Sequence, residues 1–527
     1  MSITRQSKVI SHPEAARLIP DGATIGCCGV IGWLTPDRML RSIAERFEQE
    51  SSPASCIFFF PCGTGDAIGI KGMDHVAIPG LMKRIISGSY VNPRNPKTGE
   101  RPRLMQAIHA NQVEAYSWPI GATMQWLREV ARRSPGLFTE IGLGCYIDPR
   151  QTGGKLTASA QQDLVFVREI EGKEYLFYPT FPIDVAVIRG TAADTFGNIT
   201  MEKEPFISSM LPLAMAAKAR GGKVIVQVER VVARGTLPTQ HVRIPGCLVD
   251  AIVVDADQVM GTNCTYLPEA SGERRGSLAD LPRIPFGVDK VIARRAARAV
   301  LPGEVAIFGF GASGDIPLIL AEEGRFAGEG LSDYHFTTEH GPHGGVLLRD
   351  WQFSANYNPE CIVDCAAHFD FINGGGCQFA ALAFAEFDAG GNVNVSKFGS
   401  YAPGAGGFID IAHNARTLVF TGTFTGGGPL LDLADGKCTV KKEGGFKKFV
   451  QRAQQITYPV LRGVRERGQS VLIVTERAVF AVIPEGLVLM EIAPGIDLQR
   501  DVLDQMEFAP ARILDPLPLM DPALFRP

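Results

Sequence analysis

Few side chains in this sequence combine chemical reactivity with a setting that would expose them to a ligand, and Glu339 is the plainest case. It stands in the segment Tyr334 to Val346, YHFTTEHGPHGGV, where a strand-like run ends and Gly341, Pro342, Gly344 and Gly345 follow. A carboxylate that enters a glycine-rich loop from the end of a parallel strand sits where open α/β sheets bind ligands. The plainer alternative is a solvated loop acid. His340 and His343 would allow metal ligation, but their spacing across Pro342 is not helical and no carboxylate partner is obvious, so no metal site is read here.

A second motif is Gly309-Phe310-Gly311-Ala312-Ser313-Gly314, which follows the strand-like EVAIF and precedes a helical pattern. This is the outline of a dinucleotide-binding turn. Two features oppose that reading. The related turn near the start, Gly26-Cys27-Cys28-Gly29-Val30-Ile31-Gly32, lacks the close Gly-x-Gly, and Pro317 falls one turn into the following helix. A tight strand-to-helix turn and a pocket for another phosphate-bearing ligand both stay open. The 11 cysteines include no C-x-x-C pair. They read as buried thiols of a reduced, cytoplasmic protein, with Cys27, Cys28 and Cys62 as packing residues.

The elements that must position these groups come in two related sets. The segment IPDGATIGCCGVIGWLTPDRML from Ile19 resembles LPGEVAIFGFGASGDIPLIL from Leu301. ADTFGNIT from Ala193 resembles FDAGGNVN from Phe387, and KVIVQV at Lys223 lines up with TLVFTG at Thr417. The last two pairs have the same separation and the first a longer one, so the first half carries an insertion, placed at about residues 60–150. Three pairs in one order indicate an internal duplication. Continuous apolar runs such as DVAVIRG, KVIVQVERVV and SVLIVTE read as strands buried on both faces. Their alternation with Ala/Arg/Lys-rich helical patterns predicts an α/β fold of two open, mostly parallel halves. The polar, proline-bearing stretch EASGERRGSLADLPRIP is the linker, which puts the halves at 1–285 and 286–527.

Composition narrows the function classes. A formal net charge of -4 with no long basic run shows no nucleic-acid footprint. No apolar run reaches the length of a membrane span, and the start, MSITRQSKVISHPEAARL, has no signal-peptide pattern. A small-molecule enzyme of the cytoplasm is expected.

The strand-Glu-x-Gly-x-x-Gly-Gly pattern at Glu339 resembles the active-site segment of the family I CoA-transferases, which include propionate/acetate and succinyl-CoA:3-ketoacid CoA-transferases. GATIGCCGVIGWLTPDRML, NGGGCQFAALAFAEFDAGGNVNVSKFG, GAGGFIDIAHNA, VFTGTFTGGG and EIAPGIDLQRDVLDQMEF agree in the same order. YVNPRNP and YIDPRQTGGK in the insertion resemble the single-chain members. The resemblance implies an alpha-like first half and a beta-like second half that carries the catalytic Glu.

It further implies an acyl-CoA:carboxylate CoA-transferase acting on small acids of the acetate, propionate or 3-keto acid class. Glu339 would be the nucleophile of a ping-pong reaction through a glutamyl-CoA thioester. A Glu side chain is ionised at neutral pH without a general base, so it suits that role. Gly404, Gly406 and Gly407 would supply oxyanion N–H groups, the family's matching loop lying beside the thioester. Asn373, Gly375 and Lys397 would lie near the CoA path. No permanently bound cofactor and no metal are implied; coenzyme A is a substrate, and the partners are acyl-CoA and small carboxylic acids, with no nucleic acid or membrane. A homodimer or homotetramer in ketone-body or short-chain fatty acid metabolism is expected. An acyl-CoA hydrolase on the same fold is the alternative. Arg349, His368 and Trp33 depart from the usual small-acid pattern, which leaves the acyl pocket open in size and charge.

Overall fold

The computed structural model describes residues 7–90, 94–326 and 333–527. Three residues of YVNPRNP (Val91, Asn92 and Pro93) and the first six of the chain lie outside the described residues. The fold divides into two compact units: 1–275 with 362–370 and 400–407, and 276–361 with 371–399 and 408–527.

In the first unit the strands that matter are β1 (Thr24–Cys27), β2 (Cys56–Phe60), β3 (Met82–Ser87), β4 (Glu114–Ser117), β5 (Val185–Arg189), β6 (Ala192–Asp194), β7 (Ile199–Thr200), β8 (Lys223–Val228), β9 (Arg230–Val232), β10 (Val242–Ile244) and β11 (Ala251–Val254). Seven of them form one sheet, β11-β8-β5-β1-β2-β3-β4, with every pairing parallel. All five residues of β5 are buried, as a strand covered on both faces must be. The helix Asp37–Glu50 buries Met39, Leu40, Ile43 and Ala44 and stops at Ser51, which turns left-handed. Its outer face carries the pairs Arg41–Glu45 and Arg46–Glu50. Such surface pairs contribute a few tenths of a kcal/mol, against roughly 1.5–3 kcal/mol for burying each large apolar side chain. The apolar stripe therefore sets where this helix packs.

In the second unit the corresponding strands are β12 (Val305–Phe308), β13 (His335–Thr337), β14 (Pro342–His343), β15 (Phe379–Ala383), β16 (Glu386–Asp388), β17 (Asn392–Asn394), β18 (Thr417–Thr421), β19 (Phe449–Val450), β20 (Tyr458–Pro459), β21 (Ser470–Val474), β22 (Ala478–Ile483) and β23 (Gly486–Ile492). The large sheet runs β14-β13-β12-β15-β18-β21-β22-β23 through its centre. It is parallel from β13 to β21 and antiparallel at β14, β22 and β23.

Each large sheet grows outward from its first strand. From β1 the chain moves one way to β2 and later the other way to β5, β8 and β11; from β12 it moves one way to β13 and later the other way to β15, β18 and β21. Strand order reverses beside β1 and beside β12, and open α/β sheets bind ligands at the carboxyl ends flanking such a reversal. The small sheets repeat as well, β9-β6-β7-β10 in one unit and β19-β16-β17-β20 in the other. In each, the hairpin pair is antiparallel, the outer strand on one side parallel and that on the other antiparallel.

The paired Asp-x-x-Gly-Asn motifs form the hairpin turns of these small sheets. Asp194 Oδ1 accepts from the N–H groups of Phe196, Gly197 and Asn198, and its Oδ2 accepts from Asn198 Nδ2. Asp388 accepts from the backbone N–H and side-chain amide of Asn392. The repeat seen in the sequence is a repeat of turn chemistry. The two related parallel α/β halves expected from the strand–helix alternation are present.

Candidate active site

Glu339 lies two residues past the end of β13, in the turn that leads into β14. The hairpin is closed by pairing of Thr337 with His343 and by the Gly344 N–H, which donates to the Phe336 carbonyl at 2.8 Å. Thr337 Oγ1 donates to the Pro342 carbonyl at 2.7 Å, and Thr338 Oγ1 to that of Ser354 at 2.8 Å. Asn356 Nδ2 donates to the Gly344 carbonyl at 2.7 Å. The loop is thus fixed on both sides of the carboxylate by bonds that buried polar groups are obliged to make.

The Glu339 side chain is 19% exposed, while the adjoining His340 is fully buried with Nε2 3.3 Å from Glu339 Oε1. The acid is therefore held beside a buried imidazole while its side chain stays partly exposed. His343 stands 3.1 Å, Nδ1 to Nε2, from His335. Burial, with the nearby His335 adding to it, pushes the His343 pKa down to about 4. His343 is neutral at pH 7 and adds no positive charge to the loop.

Of the other residues singled out in the sequence, Asn373, Gly375 and Lys397 belong to the same unit as Glu339. Asn373 ends the helix Cys365–Asn373; its Nδ2 donates to Asp410 Oδ1 at 3.4 Å, and its Oδ1 accepts from Asn414 Nδ2 at 3.3 Å. The Gly375 N–H donates to the Ile372 carbonyl, closing that helix end. Lys397 is half-buried, its backbone held by Asn394, and its ammonium makes no hydrogen bond or ion pair among the described residues.

Gly404, Gly406 and Gly407 belong to the first unit. There the Tyr90 N–H donates to the Pro403 carbonyl, the Gly406 N–H to that of Gly88, and the Ile120 N–H to that of Gly406. Gly404 has φ 78°, and a Cβ at this position would lie 2.5 Å from Ser117 Oγ. Both the left-handed backbone and the close approach demand glycine. Ser117 Oγ lies 2.7 Å from the hydroxyl of the buried Tyr146, so a side-chain pair supports the loop from below. The Gly406 N–H is committed to Gly88, whereas that of Gly404 has no partner among the described residues. Sequence reading missed Ser117, Tyr146 and the burial of His340, because each depends on a neighbour that no local pattern reveals.

Arg349 Nε lies 3.3 Å from Asp315 Oδ1 and 3.3 Å from Asp350 Oδ2. Trp33 is fully buried with its ring edge-on to Phe206. His368 is fully buried on the helix Cys365–Asn373. Cys27 and Cys28 are buried, and burial pushes the Cys28 thiol up to about 12. Neither is a nucleophile at neutral pH. In Gly309–Gly314, Gly311 caps the helix Ala312–Glu322, and a Cβ on Gly314 would lie 2.9 Å from the Gly309 carbonyl oxygen. This motif makes a tight strand-to-helix turn.

The coenzyme A transferase family model matches residues 10–255. Over 98% of its length the chain is 39% identical to caffeate CoA-transferase of Acetobacterium woodii, covering 97% of that protein. It is 38% identical to acetate CoA-transferase YdiF of Escherichia coli K12, over 98% of this chain and 95% of that one. A crystal structure of the YdiF acyl-CoA transferase of E. coli O157:H7, a thioester complex with CoA, is 37% identical with a TM-score of 0.88, covering 99% of this chain and 96% of that one.

Proposed function

Because the chain belongs to the single-chain family I coenzyme A transferases, and is thus an enzyme that transfers CoA, we propose that it moves CoA from an acyl-CoA to a small carboxylic acid of the acetate, propionate or 3-keto acid class, with Glu339 as the nucleophile. The observation that carries this reading is the partly exposed Glu339 carboxylate just past a strand at the carboxyl edge of the parallel sheet, beside buried His340.

The Glu339 carboxylate attacks the thioester carbonyl of the donor. A C–O bond forms, the C–S bond breaks, and an acyl-glutamyl anhydride and CoA thiolate result. The thiolate then attacks the glutamyl carbonyl, giving a glutamyl-CoA thioester and releasing the first acid. The acceptor carboxylate reverses both steps. One thioester replaces another, so activation is conserved and no general base is required. Each tetrahedral oxyanion needs a preorganised donor, worth about 3–4 kcal/mol. Of the loop N–H groups assigned that task, the one on Gly404 is uncommitted among the described residues. Asn373, Gly375 and Lys397 are assigned to the CoA path. On this reading 1–285 is the alpha-like half and 286–527 the beta-like half, and the enzyme is a cytoplasmic homodimer or homotetramer of ketone-body or short-chain fatty acid metabolism.

The test is intact-mass measurement after mixing the protein with an acyl-CoA and no acceptor, followed by peptide mapping. A CoA-sized adduct on the Glu339 peptide that is discharged by acetate supports the reading. CoA release that no carboxylate accelerates, with no adduct, replaces it with an acyl-CoA hydrolase. Steady-state rates give a second check: varying donor and acceptor yields parallel double-reciprocal lines, and intersecting lines exclude the two-step covalent route.

A further inference from the structure

The second unit contains a cavity of about 580 Å³ at the carboxyl edge of its large sheet. Its lining includes Phe384, just past the end of β15, and Thr423, just past the end of β18, together with Phe398, Phe446 and Lys448. Phe398 and Phe446 are 41% and 58% exposed, which is unusual for side chains of this type. The walls are therefore apolar and open to entry.

Lys448 is 6% exposed, yet its ammonium makes no hydrogen bond or ion pair among the described residues. Its Nζ sits 4.0 Å from the centre of the Phe384 ring. The acids around it are engaged elsewhere. Glu386 accepts from Asn394 Nδ2, the Gln454 N–H and Gln454 Nε2. Glu476 accepts from the Phe424 N–H and from Arg477 Nε. The neighbouring Lys447 points elsewhere, donating to the carbonyls of Asp504 and Met506. Buried cations are normally paired, because desolvating an unpaired ammonium is costly. Among the described residues the direct partner of the Lys448 ammonium is an aromatic face, weaker than a carboxylate.

We propose that Lys448 is a site of covalent N-acylation by acyl-CoA, with the acyl group seated in this apolar cavity. The neutral amine attacks the thioester carbonyl, a C–N bond forms, the C–S bond breaks, and CoA leaves as thiolate while the amine proton passes to water. The product amide is neutral, so the reaction removes a buried charge and places an apolar chain against Phe398 and Phe446. Burial, opposed in part by Glu476, already pushes the Lys448 pKa down from 10.5 to about 8. About a tenth of this amine is therefore unprotonated at pH 7, far more than of an exposed lysine. The cavity edge belongs to β15, two strands from β13 in the order β13-β12-β15, or about 10 Å at ordinary strand spacing. An enzyme that binds acyl-CoA supplies the reagent; the inference does not require Glu339 to be the nucleophile.

The experiment is incubation of the wild-type protein and of Glu339→Ala with acetyl-CoA, hydroxylamine treatment to cleave any glutamyl thioester, and lysine-resolved peptide mapping over time. The expected result is an acetyl mark on Lys448 in both proteins, accumulating at least about tenfold faster than on the exposed Lys83 and Lys97. The same mark should be absent from Lys448→Arg while the exposed lysines react as before. Acetylation of Lys448 at the rate of Lys83 and Lys97, or not at all, overturns the proposal. Loss of the hydroxylamine-sensitive adduct in wild type, with the Lys448 mark retained, counts against Glu339 and leaves this inference standing.

Discussion

The carboxyl ends of β2 and β13 occupy the same place in the two halves, each beside the strand where its sheet begins. Two residues past β2 stands Cys62, and two residues past β13 stands Glu339. Cys62 is 4% exposed, with Sγ 3.5 Å from Ser89 Oγ, whereas the Glu339 side chain is 19% exposed beside buried His340. The scaffold duplicates a position suited to ligand chemistry, but only one copy holds an accessible charge there. On the proposed reading, fold repetition supplies the location and the individual side chain the function.

The largest effect that tests this contrast is on turnover. On the proposed covalent route, Glu339→Ala should lower the transfer rate by about 10³-fold or more without unfolding the protein. Cys62→Ala should leave it within about threefold, since a buried thiol acts as a small apolar group. Initial rates with matched circular dichroism spectra check both; equal losses in the two variants would abolish the contrast.

The paired hairpin turns provide the next test. Asp194 also accepts from the Gly235 N–H, and Asp388 from the Ala453 N–H, so each turn is tied to a distant segment in the same way. Replacing either by Ala strands buried donors and should cost about 2–4 kcal/mol in urea unfolding. Asp194→Ala should be the more costly, because its carboxylate serves three consecutive N–H groups. Burial alone would raise the Asp194 pKa, but the bonds from Asn198, Gly235 and Phe196 outweigh it and hold the pKa below the ordinary value. A lowered folded-state pKa gives stability that is present above the unfolded pKa and lost as pH falls through the folded one. The penalty for Asp194→Ala should therefore shrink below about pH 4, in unfolding curves taken from pH 7 downward.

The smallest effects concern the acids in the first turns of the two helices that follow β1 and β12. For Asp37, burial is outweighed by His75 and by the backbone N–H groups of Gly72 and Lys71, so its pKa is lowered. For Asp315, burial wins over Arg349 and the pKa rises to about 6. A raised carboxylate pKa penalises the folded state once pH climbs from the unfolded value through the folded one. Asp315→Asn should accordingly stabilise the protein by about 1 kcal/mol at pH 8 and have little effect at pH 4. Asp37→Asn should have the opposite sign at pH 8. Melting temperatures at the two pH values decide it, and the same sign for both variants would remove the distinction.

Much of this architecture was legible locally. Apolar runs such as VAVIR marked strands buried on both faces, and the Asp-x-x-Gly-Asn pairs exposed the duplication, because strand burial and turn formation depend on residues within a few positions of each other. The place of Glu339 at a strand end was legible for the same reason. The sequence by itself therefore determined the two-fold α/β plan, its turns and the candidate nucleophile. Tertiary structure alone decided which groups are already engaged. The Gly406 N–H is taken by Gly88 and Arg349 is paired with Asp315, while Lys448 is buried against Phe384. Those outcomes depend on partners tens to hundreds of residues away. Desolvation and pairing, which set the charge and availability of each group, arise only when the folded chain brings such partners together.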